Sequence, residues 1–248
     1  MPPTTPVALI TGAAHRLGAQ TARTLHERGW NLVIHYRTRE EQANSLIAQM
    51  NRQRPDSACA LQADLSQLAG VDRLASDAVA KWGRLDALVN NASVFYPTPT
   101  ADATGDDWDT ILNTNLRAPF FLLQGCLAEL RRNRGSVVNL IDIYSERPID
   151  DHPLYCATKA AMDMHARAMV EDAVAGLKAE SIAPGVIDTG MQATIRSAPE
   201  EDFALLDQFK SMKAEGGLAK AEDTAAKICA HILSDRFGAE TITDVRTF

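Results

Sequence analysis

A tyrosine, a lysine and an aspartate in the second half of the chain have side chains suited to moving a proton. Tyr155 and Lys159 are four residues apart, and Asp142 lies thirteen residues before the tyrosine. Because four residues make about one helical turn, a helix would place the phenol and the ammonium on one face. A nearby ammonium favours phenolate, so we expect it to lower the pKa of Tyr155 and to make this residue a proton donor to a developing anion. A solvated helix face would show the same spacing, so the surrounding sequence must show whether these residues form a catalytic pair.

The composition of the 248-residue chain is that of an ordinary globular protein. Hydrophobic residues make up 46% and charged residues 23%, and the net charge is −7 at pH 7. This negative charge argues against nucleic acid or an anionic membrane as the main partner. The four cysteines form no Cys-x-x-Cys pair, and the sequence has no signal-peptide pattern and no long apolar run. We therefore expect a cytoplasmic protein without a metal site.

Short apolar runs alternate with helical patterns along the chain, as is typical of a parallel sheet covered by helices. The apolar runs are VALI, NLVIHY, ACALQADL, LDALVNNA, GSVVNLI and AESIAPG. The helical patterns fall at residues 17–28, 40–51, 71–82, 108–132 and 155–176, with a bend expected at Pro119. Most of the runs are apolar throughout, which indicates strands covered on both faces. The sequence therefore predicts an α/β fold, a single-domain Rossmann-type doubly wound parallel sheet with helices on both faces, over residues 1–248.

The turn after the first apolar run has the features of a dinucleotide-binding loop. Gly12 suits a tight turn, and Gly18 suits a close approach between helix and sheet. The backbone N–H groups at the start of the helix would face a pyrophosphate. Arg16 stands between the two glycines, where a third glycine is common. With His15 and Leu17, these residues form the predicted phosphate-binding turn.

The end of the second apolar run selects the cofactor. Sites for NAD place an acidic residue there, whereas this chain has HYRTR at residues 35–39 and no acid before position 40. Arg37, with Arg39 and His35 nearby, would bind a 2′-phosphate, and Tyr36 would flank it. The predicted cofactor is therefore NADPH or NADP rather than NADH. A solvated basic turn is the alternative interpretation.

The ends of the third and fourth apolar runs complete this edge of the sheet. Asp64 and Leu65 end the third run, where an adenine edge would be held, and Asn91, Ala92 and Ser93 end the fourth. Open α/β sheets bind ligands at the carboxyl ends of their strands, so we expect all five residues at the cofactor site.

These motifs together resemble the short-chain dehydrogenase/reductase family. The matching segments are TGAAHRLG, Asp64, NNAS, Asn115 in LNTNLRAPF, Tyr155-x-x-x-Lys159 and Pro184-Gly185, in the family's order. The resemblance implies that Tyr155 is the catalytic acid and that Lys159 binds the nicotinamide ribose. It implies that Asn115 holds a water in a proton relay, although a helix residue bonded to local backbone is an equal interpretation. Pro184, Gly185 and Ile187 are the remaining cofactor contacts that it implies.

Residues 1 to about 155 resemble the pteridine reductases within this family. Arg16 replaces the middle glycine, HYR ends the second run, SVFYPTP follows the fourth, and Asp142 stands where most members have a serine. The resemblance implies a pterin site in which Phe95 stacks on the ring, Arg16 and Ser93 bond its edge, and Asp142 accepts from its N–H groups beside Tyr155.

The aspartate also indicates the type of reaction. A carboxylate repels the alkoxide that ketone reduction generates, so Asp142 favours reduction of a C=N bond. A strand-end acid bonded to a backbone turn is the alternative for Asp142, and ordinary loop packing is the alternative for Phe95.

From about residue 155 onward the chain resembles the sepiapterin-reductase-like branch instead. The segments concerned are YCATKAAMDMHARAM, APGVIDTGMQATIR, DQFKSMKAEGGL and TITDVRTF. The change suggests a recombinant or designed chimera, with a divergent natural member as the alternative. The resemblance implies a substrate lid at about residues 186–217 that includes Met191. It also implies an anchor for the substrate at Asp244, for which an exposed terminal acid is an equal interpretation.

The sequence therefore predicts an NADPH-dependent reductase that transfers hydride to a C=N bond of a pterin or dihydropterin. A sepiapterin-like or general carbonyl reductase and a catalytically weak NADPH-binding protein are the alternatives. By resemblance we expect a homo-oligomer, either a dimer or a tetramer. Met162, His165 and Met169 form a stripe on the tyrosine helix that would lie at its interface or in the core.

Overall fold

The computed structural model describes residues 5–171, 176–187, 211 and 217–248. Its strands are β1 (Val7–Ile10), β2 (Asn31–Tyr36), β3 (Ala58–Gln62), β4 (Ala87–Asn90), β5 (Ser136–Leu140), β6 (Lys178–Ala183) and β7 (Ile242–Asp244). Its longer helices are α1 (Arg16–Glu27), α2 (Glu40–Gln53), α3 (Leu68–Trp82), α4 (Gly105–Leu112), α5 (Ala118–Arg132), α6 (Pro153–Glu171) and α7 (Ala221–Ile232).

The strands form one parallel sheet in the order β3-β2-β1-β4-β5-β6-β7. From β1 the chain winds outward through β2 and β3, and it then returns to the other side of β1 with β4. The strand order therefore reverses between β1 and β4, where Ile10 lies opposite Val89. The carboxyl ends of strands at such a reversal form the crevice in which open α/β sheets bind ligands. The predicted fold class is confirmed.

Both faces of the sheet are covered by helices, which explains the continuously apolar strands. Side chains of a strand point alternately to its two faces. Ala8 and Ile10 of β1 belong to an apolar cluster shared with α1 and α7. Val7 and Leu9 belong to a second cluster shared with α3 and α5. The sheet is thus held rigidly between two cores, and its carboxyl edge is left to carry polar side chains.

The helix predicted at residues 108–132 is interrupted, and the expectation of one bent helix is wrong in detail. Between α4 and α5 lies a π-helical turn, Asn113–Arg117, and Pro119 falls in the first turn of α5. Proline is tolerated there because its missing N–H has no partner to lose. Two elements, α7 and β7, were absent from the sequence interpretation.

Candidate active site

A cavity of about 520 Å³ opens at the carboxyl edge of the sheet. The residues predicted for the cofactor, the proton donor and the substrate meet there from eight separate segments of the chain. The predicted residues in its wall are Gly12, His15, Arg16, Leu17, Gly18, His35, Tyr36, Arg37, Asp64, Leu65, Asn91, Ala92, Ser93, Asp142, Tyr155, Lys159, Pro184, Gly185, Ile187 and Asp244. Met191 lies outside the described residues. Phe95 and Asn115 lie behind the wall.

The Gly-rich turn has the two geometrical features that the sequence predicted. Gly12 has a φ of +63°, in the left-handed region that favours glycine. A Cβ atom at Gly18 would lie 2.5 Å from Asn91 Nδ2 and 2.8 Å from the Gly12 carbonyl oxygen. The Asn91 amide occupies that space because it donates to the Thr11 carbonyl at 2.7 Å. Both glycines therefore allow the turn, α1 and the residues after β4 to pack closely against one another.

Arg16 adopts a conformation that its residue type disfavours. Its φ is +54°, so an arginine takes the left-handed geometry usually given to glycine. Burial and the nearby Arg39 charge lower the pKa of its guanidinium. The backbone at this position thus has a conformation that glycine adopts readily, and the side chain adds a cation to the cavity.

Arginine side chains are concentrated around this turn. Arg16, Arg37 and Arg39 line the cavity together with His15. Burial, together with the charges of Arg16 and Arg39, lowers the pKa of His15 to about 4. The arginines thus repel further positive charge at this point, and an anion carrying two or more negative charges would relieve that repulsion. The Gly-rich turn at the start of α1 and the arginine cluster fit a dinucleotide with an additional phosphate.

His35 supports the turn, and its side chain is not available to a phosphate. It is 2% exposed, its Nδ1 accepts from the Gly12 N–H at 3.0 Å, and its Nε2 donates to the Ala63 carbonyl at 3.1 Å. Burial lowers the pKa of His35 to about 4, so the ring is neutral. The expectation that His35 would contact the 2′-phosphate is therefore not met, because both ring nitrogens already hold the backbone of β3 and the turn.

Asp64 is ordered by its own loop at the end of β3. Its Oδ1 accepts from the backbone N–H and the hydroxyl of Ser66, at 2.9 and 2.8 Å. Burial alone would raise its pKa, but the bonds from Ser66 and the charge of Arg37 lower the pKa below its ordinary value. An ionised carboxylate therefore lies next to the arginine cluster at the cavity edge.

Tyr155 and Asp142 are in direct contact, and this contact changes the expected electrostatics. The phenol donates to Asp142 Oδ2, while Asp142 Oδ1 accepts from the Tyr144 N–H at 3.0 Å. Tyr155 is 1% exposed. Burial and the Asp142 charge raise its pKa well above the usual range. The expected lowering of the Tyr155 pKa is wrong, because a carboxylate rather than an ammonium adjoins the phenol oxygen.

Lys159 shares the face of α6 with Tyr155, as the spacing predicted, but it points past the hydroxyl. Its Nζ donates to the Leu140 carbonyl at 3.0 Å and lies 5.4 Å from the centroid of the Tyr155 ring. Burial lowers the pKa of Lys159, and the charge of Asp142 opposes that shift. The ammonium therefore contributes a counter-charge to the carboxylate within the same buried group.

Asn115 supports the loop after β4. Its Oδ1 accepts from the Val94 N–H at 2.8 Å, and its Nδ2 donates to the Val94 carbonyl at 2.9 Å. A water held by these same atoms would compete with both bonds. The structure thus agrees with the alternative that the side chain bonds local backbone, and Asn115 fixes the loop that carries Ser93.

Phe95 packs against protein rings in the same loop. It stacks on His152 with centroids 4.3 Å apart and an interplanar angle of 16°, and it meets the Tyr155 ring edge-on at 4.8 Å. One face of Phe95 is therefore already covered, in agreement with the loop-packing alternative. Ser93 lies in the cavity wall beside Tyr155, where its contact with the phenol lowers the tyrosine pKa against the larger effects of burial and Asp142.

Asp244 reaches the cavity together with a residue that the sequence analysis missed. Arg246 Nε lies 2.9 and 3.0 Å from the two carboxylate oxygens, and Arg246 Nη2 lies 2.5 Å from Oδ2. The bonds from Arg246 lower the pKa of Asp244. Asp244 is therefore a cavity residue rather than an isolated terminal acid, and its carboxylate is shared with a guanidinium.

Tyr144 is a second cavity residue that sequence reasoning missed. Its half-buried phenol lies in the wall, and burial with the Asp142 charge raises its pKa to about 12. Its position two residues after Asp142, at the end of a predicted strand, was the available signal. Within the described ranges, no group of three or more His, Cys, Asp or Glu side chains is arranged to hold a metal ion. None of the helices described is long and apolar enough to cross a membrane.

The chain belongs to the short chain dehydrogenase family, whose pattern matches residues 6–200. It is 33% identical over 223 residues to pteridine reductase 1 of Leishmania tarentolae, covering 74% of this chain and 77% of that protein. It is also 33% identical over 187 residues to the hydroxynaphthalene reductase-like protein Arp2 of Metarhizium anisopliae, covering 75% and 69%. The predicted family is confirmed, and the chain is a short-chain oxidoreductase.

Solved structures show the same fold with nucleotide bound. A short chain dehydrogenase from Burkholderia cenocepacia J2315 in complex with NADP is 29% identical, covers 96% of this chain and 94% of its own, and superposes with a TM-score of 0.83. A blue fluorescent protein from a metagenomic library in complex with NADPH is 27% identical, covers 97% and 96%, and has a TM-score of 0.84. These relatives hold the nucleotide that the sequence predicts. The change of subfamily near residue 155 stays a prediction.

Proposed function

We propose that the chain is an NADPH-dependent reductase that transfers hydride to a C=N bond of a pterin or dihydropterin. The observation that carries the proposal is the contact between the Tyr155 phenol and the Asp142 carboxylate in the wall of the nucleotide-sized cavity. The likeness to pteridine reductase 1 of Leishmania tarentolae supports the same substrate class.

The cofactor proposal rests on the turn and on the arginine cluster. The turn from Gly12 to Gly18 lines the cavity at the start of α1, where helix N–H groups would bind a pyrophosphate. Arg37 and Arg39 line the same cavity and would bind a 2′-phosphate. The solved relatives that carry NADP and NADPH support this assignment. Bound NADPH would supply the hydride.

The protein's own residues would manage the protons. Because burial and Asp142 raise its pKa, Tyr155 keeps its proton at neutral pH and serves as a neutral donor. Asp142 has acceptor oxygens that would bond the N–H groups of a pterin edge. Lys159 balances the carboxylate charge inside the protein. Together these groups would bind a ring with N–H donors and deliver one proton to a ring nitrogen.

The carboxylate favours this reaction over ketone reduction. Hydride transfer to a ketone produces an alkoxide, and a negative charge close to that oxygen opposes its formation. Reduction of C=N places the developing negative charge on a nitrogen that takes up a proton. The buried phenol and its bonded carboxylate suit the second reaction better.

The test is NADPH consumption with dihydrobiopterin or dihydrofolate, compared with sepiapterin and a diketone. We expect the dihydropterins to be turned over and Asp142→Ser to lose that activity while still binding NADPH. Tyr155→Phe serves as the control that should lose turnover of every substrate. Turnover of diketones alone would refute the pterin assignment, and NADPH binding without any turnover would refute the reductase assignment.

A carbonyl reductase is the second candidate, because the similarity to a hydroxynaphthalene reductase-like protein is of comparable extent. The wall residue Tyr144 supports it, since a neutral phenol with a pKa of about 12 would serve as a hydroxyl donor to a carbonyl oxygen. Under this candidate, Asp142→Ser should preserve or increase turnover of carbonyl substrates.

We further propose that residues 1–248 form one domain. The predicted substrate lid at about 186–217 lies mostly outside the described residues, and Val186 and Ile187 at its start are cavity residues. A homo-oligomer is supported by the apolar outer surface of α5 and α6, where Phe120 and Met164 are exposed. Sedimentation of the purified chain would show a dimer or tetramer, and a monomer at micromolar concentration would refute this assembly.

A further inference from the structure

Glu180 is a buried carboxylate in the strand next to the sheet edge formed by β7, outside the wall of the cavity. It lies in β6 and is 0% exposed. A buried carboxylate is costly unless donors satisfy its oxygens. Its Oε1 lies 2.7 Å from His231 Nε2 and accepts from the Thr243 hydroxyl. Its Oε2 accepts from the Gly238 N–H at 2.9 Å. Three groups from separate positions thus converge on one side chain.

All three partners belong to the segment that follows α6 and β6 in sequence. His231 lies in α7, Thr243 lies in β7, and Gly238 lies in the connection between them. The His231 ring also stacks on Phe248, with centroids 4.1 Å apart and an interplanar angle of 17°. Glu180 therefore fastens this segment to the sheet at several points, including both ends of the connection.

β7 depends on this attachment because it is short and lies at the edge of the sheet. It has three residues, and it pairs with β6 only through Ser181, Ile182 and Ala183. An edge strand of this length forms few ladder bonds. The bond from the Thr243 side chain adds a directional constraint on the middle residue of the strand, which apolar packing alone would not supply.

The residues after Thr243 belong to the cavity. Asp244 is the next residue, and Asp244 and Arg246 form the bidentate pair in the cavity wall. Asp244 lies opposite Ala183, another cavity residue. The position of the Asp244–Arg246 pair is therefore set by the same three-residue strand that Glu180 holds.

We propose that Glu180 is a positioning residue that, through Thr243, fixes the Asp244–Arg246 wall and thereby sets the affinity of the cavity for its substrate. The buried carboxylate acts through β7 and touches no ligand. The part of the inference that concerns substrate affinity rests on the proposed function, whereas the part that concerns the wall does not.

The first test measures amide hydrogen exchange in β7 and at Arg246 in the ligand-free protein. Thr243→Val removes one donor at constant shape. Glu180→Gln replaces one acceptor oxygen by an NH2 group, so either the Gly238 N–H or the pair of His231 and Thr243 loses its acceptor. Both should raise exchange at β7 and at Arg246 about tenfold and leave β1 unchanged. Thr21→Val is the matched control, since this buried threonine hydroxyl has no hydrogen-bond partner among the described residues. Unchanged exchange at β7, or an equal rise throughout the sheet, would overturn the proposal.

The second test uses steady-state kinetics with NADPH and a dihydropterin. Thr243→Val should raise the KM for the dihydropterin about tenfold with kcat within about twofold. In the Asp244→Asn background, Thr243→Val should not raise the KM further, because the ion pair between Asp244 and Arg246 is already broken. Equal increases in both backgrounds would show that Thr243 does not act through Asp244. If the wild type turns over no dihydropterin, the proposed function fails, and the exchange experiment alone decides the positioning role.

Discussion

The left-handed backbone at Arg16 makes a prediction in which stability and binding change in opposite directions. Arg16 has a φ of +54° although it carries a full side chain, and it stands in the phosphate-binding turn. Replacing it by glycine removes the steric conflict between Cβ and the backbone and, at the same time, one cation from the cavity. We therefore expect Arg16→Gly to be more stable than the wild type and to bind NADPH more weakly.

The magnitude follows from two opposing contributions. A residue with a Cβ atom in the left-handed region costs about 1–2 kcal/mol, which glycine avoids. Glycine also increases the conformational freedom of the unfolded chain, which reduces the gain by about 0.4–1 kcal/mol. The expected net gain is about 0.5–1 kcal/mol in the free energy of unfolding. For a chain of this size, that gain corresponds to a rise of about 1–4 °C in Tm.

The assay compares three proteins by urea and thermal unfolding and by NADPH titration. Arg16→Ala is the matched control because it loses the same guanidinium and keeps the strained φ. Both variants should bind NADPH more weakly by a similar factor, and both lose the repulsion between Arg16 and Arg39. The strain is therefore measured by the difference between the two variants, and the glycine variant should be the more stable of them. If Arg16→Gly and Arg16→Ala unfold at the same urea concentration, the strain argument is wrong. If NADPH binds equally to all three, Arg16 has no part in the cofactor site.

Three further predictions concern the turn and the proton donor. Burial lowers the pKa of His35 from 6.5 to about 4. The neutral ring therefore contributes fully to the free energy of unfolding above pH 6.5, and up to about 3 kcal/mol of that free energy is lost as the pH falls towards 4. Urea titrations against pH should show this slope in the wild type and a smaller one in His35→Phe. In Gly18→Ala, the new methyl group would lie 2.5 Å from Asn91 Nδ2. We expect the free energy of unfolding to fall by about 1–3 kcal/mol and NADPH to bind more weakly. An unchanged dissociation constant for NADPH would contradict this reasoning. Asp142→Asn removes a charge that raises the pKa of Tyr155, so the basic limb of the profile of kcat against pH should move to lower pH. A basic limb at the same pH as in the wild type would show that the Asp142 charge does not control the pKa of Tyr155.

The fold was predictable because each strand is covered on both faces. In β1, Ala8 and Ile10 face one core while Val7 and Leu9 face the other, so the whole run is apolar and its ends are visible in the sequence. β7 has no such signal. It has only three residues, of which one is apolar, and Thr243 bonds to Glu180. A local pattern cannot show a partner that lies 63 positions away.

Most residues of the cavity wall were predictable, although Tyr144 and Arg246 were missed and Phe95 and Asn115 lie outside it, but the electrostatics of the site were not. Parallel strands end at one edge, so residues after β1, β2, β4 and β5 had to meet there. The four-residue spacing of Tyr155 and Lys159 fixed a common helix face, and it did not show how deeply that face is buried. Burial together with Asp142 reverses the expected direction of the tyrosine pKa shift.

This reversal gives the contact between Tyr155 and Asp142 a specific chemical consequence for the proposed reaction. While the phenol donates its hydrogen bond to Asp142, its proton does not face another acceptor. A ligand edge with N–H donors can satisfy the same carboxylate, and the phenol is then able to turn its proton towards a ring nitrogen. A simple ketone brings no donor to Asp142, so releasing the phenol would leave a buried carboxylate short of a hydrogen bond. Selectivity for pterins over ketones would therefore arise from this exchange of donors at Asp142 as well as from the shape of the cavity.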